Sequence, residues 1–147
     1  MLVRRFLFLL LLLPALAFAE SDLVKKQSNH GVKETIDKLE AVVKEKGMSV
    51  FARIDHRANA ESAGMDMSDS QVLIFGAPKA GTLIMLDDLA VGLDLPLRVL
   101  AYTDIDGSTW VVYHNPQGLK NSFKVEKSKV LSKVETALDN MTNQIIE

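Results

Sequence analysis

Apolar residues recur along this chain in two rhythms, and the switches between them mark the predicted elements. Val32, Ile36, Leu39 and Val43 fall four, three and four apart, one stripe of a helix whose other faces carry charge. Ser28 or Asn29 is expected to cap that helix, and Gly47 to end it. The rhythm then changes to two. Met48, Val50, Ala52 and Ile54 alternate with Ser49, Phe51, Arg53 and Asp55, which predicts a strand ending near His56. Residues 58–63 favour a helical turn closed by Gly64. Val72, Leu73, Ile74 and Phe75 form an unbroken apolar run, expected to be a central strand covered on both faces.

A loop from Gly76 to Gly81 follows, and residues 82–93 are predicted as a helix with Leu83, Leu86, Leu89, Ala90 and Leu93 inward. Pro96 forces an extended exit. Residues 97–103 and 109–113 read as a hairpin turning through Asp106-Gly107. From residue 126 the set Val130, Val134, Leu138, Met141 and Ile145 predicts a long C-terminal helix, while residues 21–28 suggest a short first strand. The order β-α-β-(short α)-β-α-β-β-α predicts an α+β fold: about five strands, mixed or antiparallel, with helices on one face.

The ends set the domain organisation. Residues 1–19 carry Arg4 and Arg5, an apolar run, Pro14 and the pair Ala17 and Ala19. That pattern predicts a signal peptide cleaved after Ala19, hence an exported, periplasmic or extracellular protein without a permanent membrane anchor. The core domain is expected over 20–125, and the segment 126–147 to pack on it or extend it. Removing Arg4 and Arg5 takes the formal charge from −2 to −4. With no basic stripe, nucleic acid is not an expected partner. The 48% hydrophobic content suits a packed core. The chain has no cysteine, so disulfides and thiolate chemistry are excluded.

Three blocks together resemble the domain-of-unknown-function 302 family. They are residues 46–56 (KGMSVFARIDH), 73–82 (LIFGAPKAGT) and 93–100 (LDLPLRVL), and residues 110–116 (WVVYHNP) fit as well. The likeness covers roughly residues 28–119. It implies a small α+β fold, often dimeric, with no assigned reaction, so a homodimer is an expected partner arrangement. The signal peptide and the helix after Phe123 stand as additions to the family pattern.

Candidate chemistry collects at element ends. Gly76-x-x-x-x-Gly81-Thr82 imitates a phosphate loop but has Thr82 where the gripping lysine belongs, which excludes nucleotide hydrolysis. What survives is a glycine turn feeding a helix, where Gly76, Lys79, Gly81 and Thr82 could hold a small anion or carboxylate. The plainer reading is a connection in which the glycines supply positive φ and Thr82 caps. His56 shares a strand face with Ile54 and Ala52, toward the expected core, and joins the tentative ligand-binding set. His56, His114 and His30 are the three histidines and the candidate metal ligands, but no pair has ligand spacing. Asp87 and Asp88 read as a solvated helix surface. Asp104-Ile105-Asp106-Gly107 lacks the closing glutamate of a calcium loop. No Gly-x-Ser-x-Gly elbow exists. The preferred expectation is a small-ligand-binding or interaction domain without evident catalysis, its cofactor unknown. The alternative is a metal- or haem-dependent redox protein using histidines at strand ends.

Overall fold

Burial of the Val32 stripe decides where the first helix goes. In the computed structural model, which describes residues 22–125 and 129–147, helix α1 (Val32–Glu45) buries Val32, Ile36, Leu39 and Val43 against one face of a sheet. Each such side chain contributes about 1.5–3 kcal/mol on burial. Gly47, at φ 69°, lets the chain turn back, and the Met48 N–H donates to the Val43 carbonyl at 3.0 Å. The N-terminus of α1 departs from expectation. Gly31 is the cap residue and no side chain caps it, because Ser28 and Thr35 pair their hydroxyls instead at 2.9 Å.

Strands β1 (Leu23–Ser28), β2 (Ser49–Asp55), β3 (Ser70–Gly76), β4 (Leu97–Thr103) and β5 (Thr109–His114) form one sheet. Its order is β1-β5-β4-β3-β2, with every neighbouring pair antiparallel. The short helix α2 (His56–Ser62) joins β2 to β3, and Gly64 closes it at φ 73°. Helix α3 (Pro78–Met85) and a 3-10 turn (Leu89–Leu93) join β3 to β4. A second 3-10 turn (Pro116–Asn121) leads towards helix α4 (Lys129–Ile146). The β4–β5 hairpin closes at Gly107, φ 85°, where the Asp104 N–H donates to Ser108 at 2.8 Å. The expected export signal at 1–19 lies outside the described residues.

Both α1 and α4 lie on the same face, over Leu73, Phe75, Val99, Ala101, Val111 and Tyr113. Neither α1 nor α4 covers the other face. There Ile54, Val72, Leu100 and Val112 stand side by side across four strands. The unbroken apolar run of β3 therefore does not mean cover on both sides. β3 is next to the edge, β4 holds the centre, and Val72 and Ile74 are half-buried on the open face.

A bulge between Val50 and Ala52 shifts the pairing of β2 by one residue. The extra residue reverses the alternation, since each strand position changes face. Val50 faces the helices, whereas Ala52 and Ile54 turn to the open face and Phe51 is thrown outward, 55% exposed. Arg53 consequently lies under α1, where it bonds Asp37 at 2.6 Å and Gln71 at 2.7 Å.

Helix α4 buries Leu131, Leu138, Met141, Thr142 and Ile145. A polar clamp fixes its second half to β1. The Lys26 ammonium, on a side chain only 14% exposed, donates to Asp139 at 2.6 Å, Asn143 at 2.7 Å and Thr142 at 2.8 Å. Lys26 holds the Asp139 carboxyl below its usual value near 3.8. A carboxyl depressed in the folded state stabilises fully above its unfolded value and stops doing so as pH falls through the lower folded value. Unfolding of the wild type and Asp139→Asn, followed from pH 7 downward, should show a wild-type advantage that narrows below about pH 4. An advantage that does not change with pH would remove this role from Lys26 and Asp139.

Candidate functional site

One end of the sheet opens into a cleft. β3 finishes at Gly76, and α3 begins at once, with Ala77 as cap residue and Pro78 at its first turn. Proline suits that position because its ring presets φ and the missing N–H would have no helical partner. The Gly81 N–H donates to the Ala77 carbonyl at 3.0 Å, so Gly81 lies within the helix. Phe51, displaced by the bulge, stands beside Gly76, and the cis Leu95–Pro96 peptide brings the chain into β4 on the other side. Val130, Val134, Ala137 and Met141 of α4 complete the wall.

The cleft is open to solvent along one side and holds about 500 Å³. That lies within the size range of small-molecule sites. Its lining is almost wholly apolar, with Met48, Met85 and Met141 among the lining side chains. Thr82 and Lys133 contribute its polar side chains. Asp88 steadies the neighbouring turn. Its carboxylate accepts the Ala90 and Lys124 N–H groups, each at 3.0 Å, and those bonds hold it below the usual carboxylate range. The 3-10 turn is thereby tied to the segment that leads into α4.

Gly76, Gly81 and Thr82 line this cleft, as expected of the loop, but their roles differ from the expected ones. Neither glycine has positive φ; among the described residues Gly47, Gly64 and Gly107 do. Thr82 does not cap, because the helix starts four residues earlier. Lys79 is exposed on α3 and does not line the cleft. His56 opens α2 at the far end of β2, a strand length of about 20 Å from Gly76. His56, Lys79 and Thr82 thus do not surround one cavity.

The histidines are separated by topology. β2 and β5 run in opposite directions, so His56 and His114 leave opposite ends of the sheet. His30 follows β1, which is the strand furthest from β2. Each of the other two has its own partner: His114 Nδ1 lies 2.9 Å from Asp22, and His30 Nδ1 lies 3.0 Å from Glu34, with Nε2 against the Glu147 carbonyl. Among the described residues no three His, Asp or Glu side chains are grouped to hold a metal. A second hollow of about 290 Å³ adjoins Asp22, Asp94, Arg98 and His114. Its polar groups face one another: Asp22 lies against His114 Nδ1, and Asp94 pairs with Arg98 at 3.7 Å.

The expected helix over 82–93 is divided, and its inward face is the reverse of the expected one. Ile84 and Val91 are buried, while Leu86 is 73% exposed and Leu89 and Leu93 are each 81% exposed. Leucines at helical spacing matched a stripe that the break after Met85 cuts in two. Phe51, Met85 and Pro96 were legible as apolar residues, but nothing in their spacing places them at one opening. Val130 and Val134 carried a partial signal. They belong to the α4 stripe, yet are half-buried, because the cleft takes the place of a packed neighbour.

The family model described as "Domain of unknown function DUF302" matches residues 24–145, a span that takes in most of α4. The chain is 42% identical over 106 residues to "Fluoride-specific ion channel FluC 1" of Brucella suis biovar 1 (strain 1330), covering 72% of this chain and 42% of that protein. It has the same identity to "Fluoride-specific ion channel FluC 2" of Brucella melitensis biotype 1, covering 39% of it. The chain thus spans about two fifths of the length of these curated relatives. A crystal structure of an uncharacterized conserved DUF302 protein from Bacillus stearothermophilus superposes with a TM-score of 0.66 at 19% identity. The superposition covers 84% of this chain and 94% of that one, and it establishes a shared fold.

Because Gly81 is helical and a Cβ there would meet nothing within 4 Å, Gly81→Ala should raise stability. The gain expected from restricting the unfolded chain is about 0.5–1 kcal/mol in urea unfolding. A loss of stability would mean that the glycine is required where it stands.

Proposed function

We propose that this chain, which belongs to the DUF302 family, is an exported binding module for a small, mainly apolar ligand. The cleft between α3, α4 and the end of the sheet carries this reading. Apolar lining and a volume of about 500 Å³ favour a ligand that gives up hydrocarbon surface to the protein. Among the described lining residues there is no carboxylate, imidazole or thiol, so the cleft is better suited to holding a molecule than to acid–base or nucleophilic work on it. The N-terminal pattern supports export, which would place the module outside the cytoplasm.

The Brucella relatives bear the name of a fluoride-specific ion channel. More than half of each lies outside the shared stretch, and in our reading the channel belongs to that remainder. No helix among the described residues of this chain is long and apolar enough to cross a membrane. The stretch held in common would then be a module associated with a channel in one setting and exported in another.

The open sheet face supports a second part of the proposal, pairing with another copy of the chain. Ile54, Val72 and Leu100, each half-buried, present one apolar row beside the buried Val112, and two copies related by a twofold axis would cover it with the same row. On the same face Lys25 lies 4.1 Å from the Trp110 ring, and the buried Trp110 Nε1 has no hydrogen-bond acceptor among the described residues.

The neutral fluorophore N-phenyl-1-naphthylamine tests the cleft. Wild type should bind it saturably, one per chain, and Ala137→Trp should abolish binding while circular dichroism stays unchanged. Absence of saturable binding to the wild type would end the cleft reading. Light scattering tests the pairing separately. The wild type is expected to run as two copies and Leu100→Lys as one, with cooperative unfolding retained; a wild type that stays single at high concentration would refute it.

A further inference from the structure

Among the described residues lining the cleft Lys133 is the one charged side chain. Lys26, Lys33 and Lys44 each have a carboxylate partner, at 2.6, 2.7 and 2.6 Å. Lys133, exposed on α4, has no such partner among the described residues. A lysine in this situation lays its methylene stem along the apolar wall and keeps its ammonium at the watery edge. The wall below it includes the thioethers of Met48, Met85 and Met141, unbranched side chains that adapt to varied hydrocarbon shapes. An apolar chamber with a single cation at its edge matches a molecule with an apolar body and a single anion at its end.

Resting on the cleft reading, we propose that the ligand is a carboxylate amphiphile, its hydrocarbon chain inside and its carboxylate at the Lys133 ammonium. The same Coulomb preference would reject a cationic head group and leave a neutral one intermediate. Lys79, the lysine expected to supply charge, does not face the cleft, so the anion-binding role moves from α3 to α4. At the edge of the cleft this attraction is screened by salt. The apolar body would provide most of the affinity and Lys133 the choice of head group.

Calorimetry with three ten-carbon compounds at low salt tests this: decanoate, 1-decanol and decyltrimethylammonium. In the wild type decanoate should bind tightest and the cation weakest, with roughly three- to tenfold between decanoate and decanol, as for a partly exposed charge-assisted contact. Lys133→Gln should bring the three together, and Lys133→Glu should reverse their order. Octanoate, decanoate and dodecanoate should tighten by about fourfold per methylene, the equivalent of burying one CH₂. Lys133 is a surface residue, and matched thermal unfolding of the variants would show that the fold is retained. If none of the three compounds binds, the cleft reading falls and this inference with it. If all bind alike, or if Lys133→Glu still prefers decanoate, the cleft stands and the role of Lys133 is overturned.

Discussion

Burial of a single face of the sheet under α1 and α4 is the constraint on which the rest of the structure depends. With no disulfide to hold the chain, the core is built from Val32, Ile36, Leu39 and Val43 of α1 meeting Leu138, Met141 and Ile145 of α4 above Leu73, Phe75, Val99 and Val111. Two helices cannot cover five strands evenly. The clamp of Lys26 on Asp139, Thr142 and Asn143 draws the second half of α4 over β1, and its first half is left beside α3, where the cleft opens. The open space thus follows from where α4 is tied down.

The bulge in β2 has two effects from one residue. It places Arg53 beneath α1, where its guanidinium meets Asp37, Glu40 and Gln71. It also sends Phe51 outward to stand beside Gly76 and form part of the cleft wall. The same insertion therefore buries one polar link and exposes one aromatic. The open face of the sheet gains Ile54 and Ala52 by that reversal, which lengthens its apolar row.

Much of the architecture was legible from periodicity. The α1 stripe, the Gly47 and Gly64 stops and the Asp-Gly hairpin all follow from spacing rules that act within a few residues. The five-strand α+β plan with helices on one face follows from their order. The candidate site was legible only in part. Of the five residues expected to bind a ligand, Gly76, Gly81 and Thr82 line the cleft, whereas His56 and Lys79 lie away from it. Alternation carries the strand through His56, but β2 ends at Asp55 and His56 opens a helix, while the glycine spacing predicts a loop at Lys79 where the first turn of α3 stands. Leu86, Leu89 and Leu93 were read inward because helical spacing cannot tell a buried stripe from an exposed one when the helix breaks midway.

By itself the chain's order of residues determined most of the element types, the turn glycines, the exclusion of cysteine and nucleotide-loop chemistry, and the family resemblance. These depend on local sterics and on composition, which neighbouring residues settle among themselves. The tertiary structure alone decided which sheet face is covered, which end of the sheet opens, and that Met48, Phe51, Met85 and Lys133 meet at one cleft. Those outcomes depend on strand order, on a one-residue bulge and on where α4 is anchored to β1. They join residues far apart in the chain, and no local period records such a meeting.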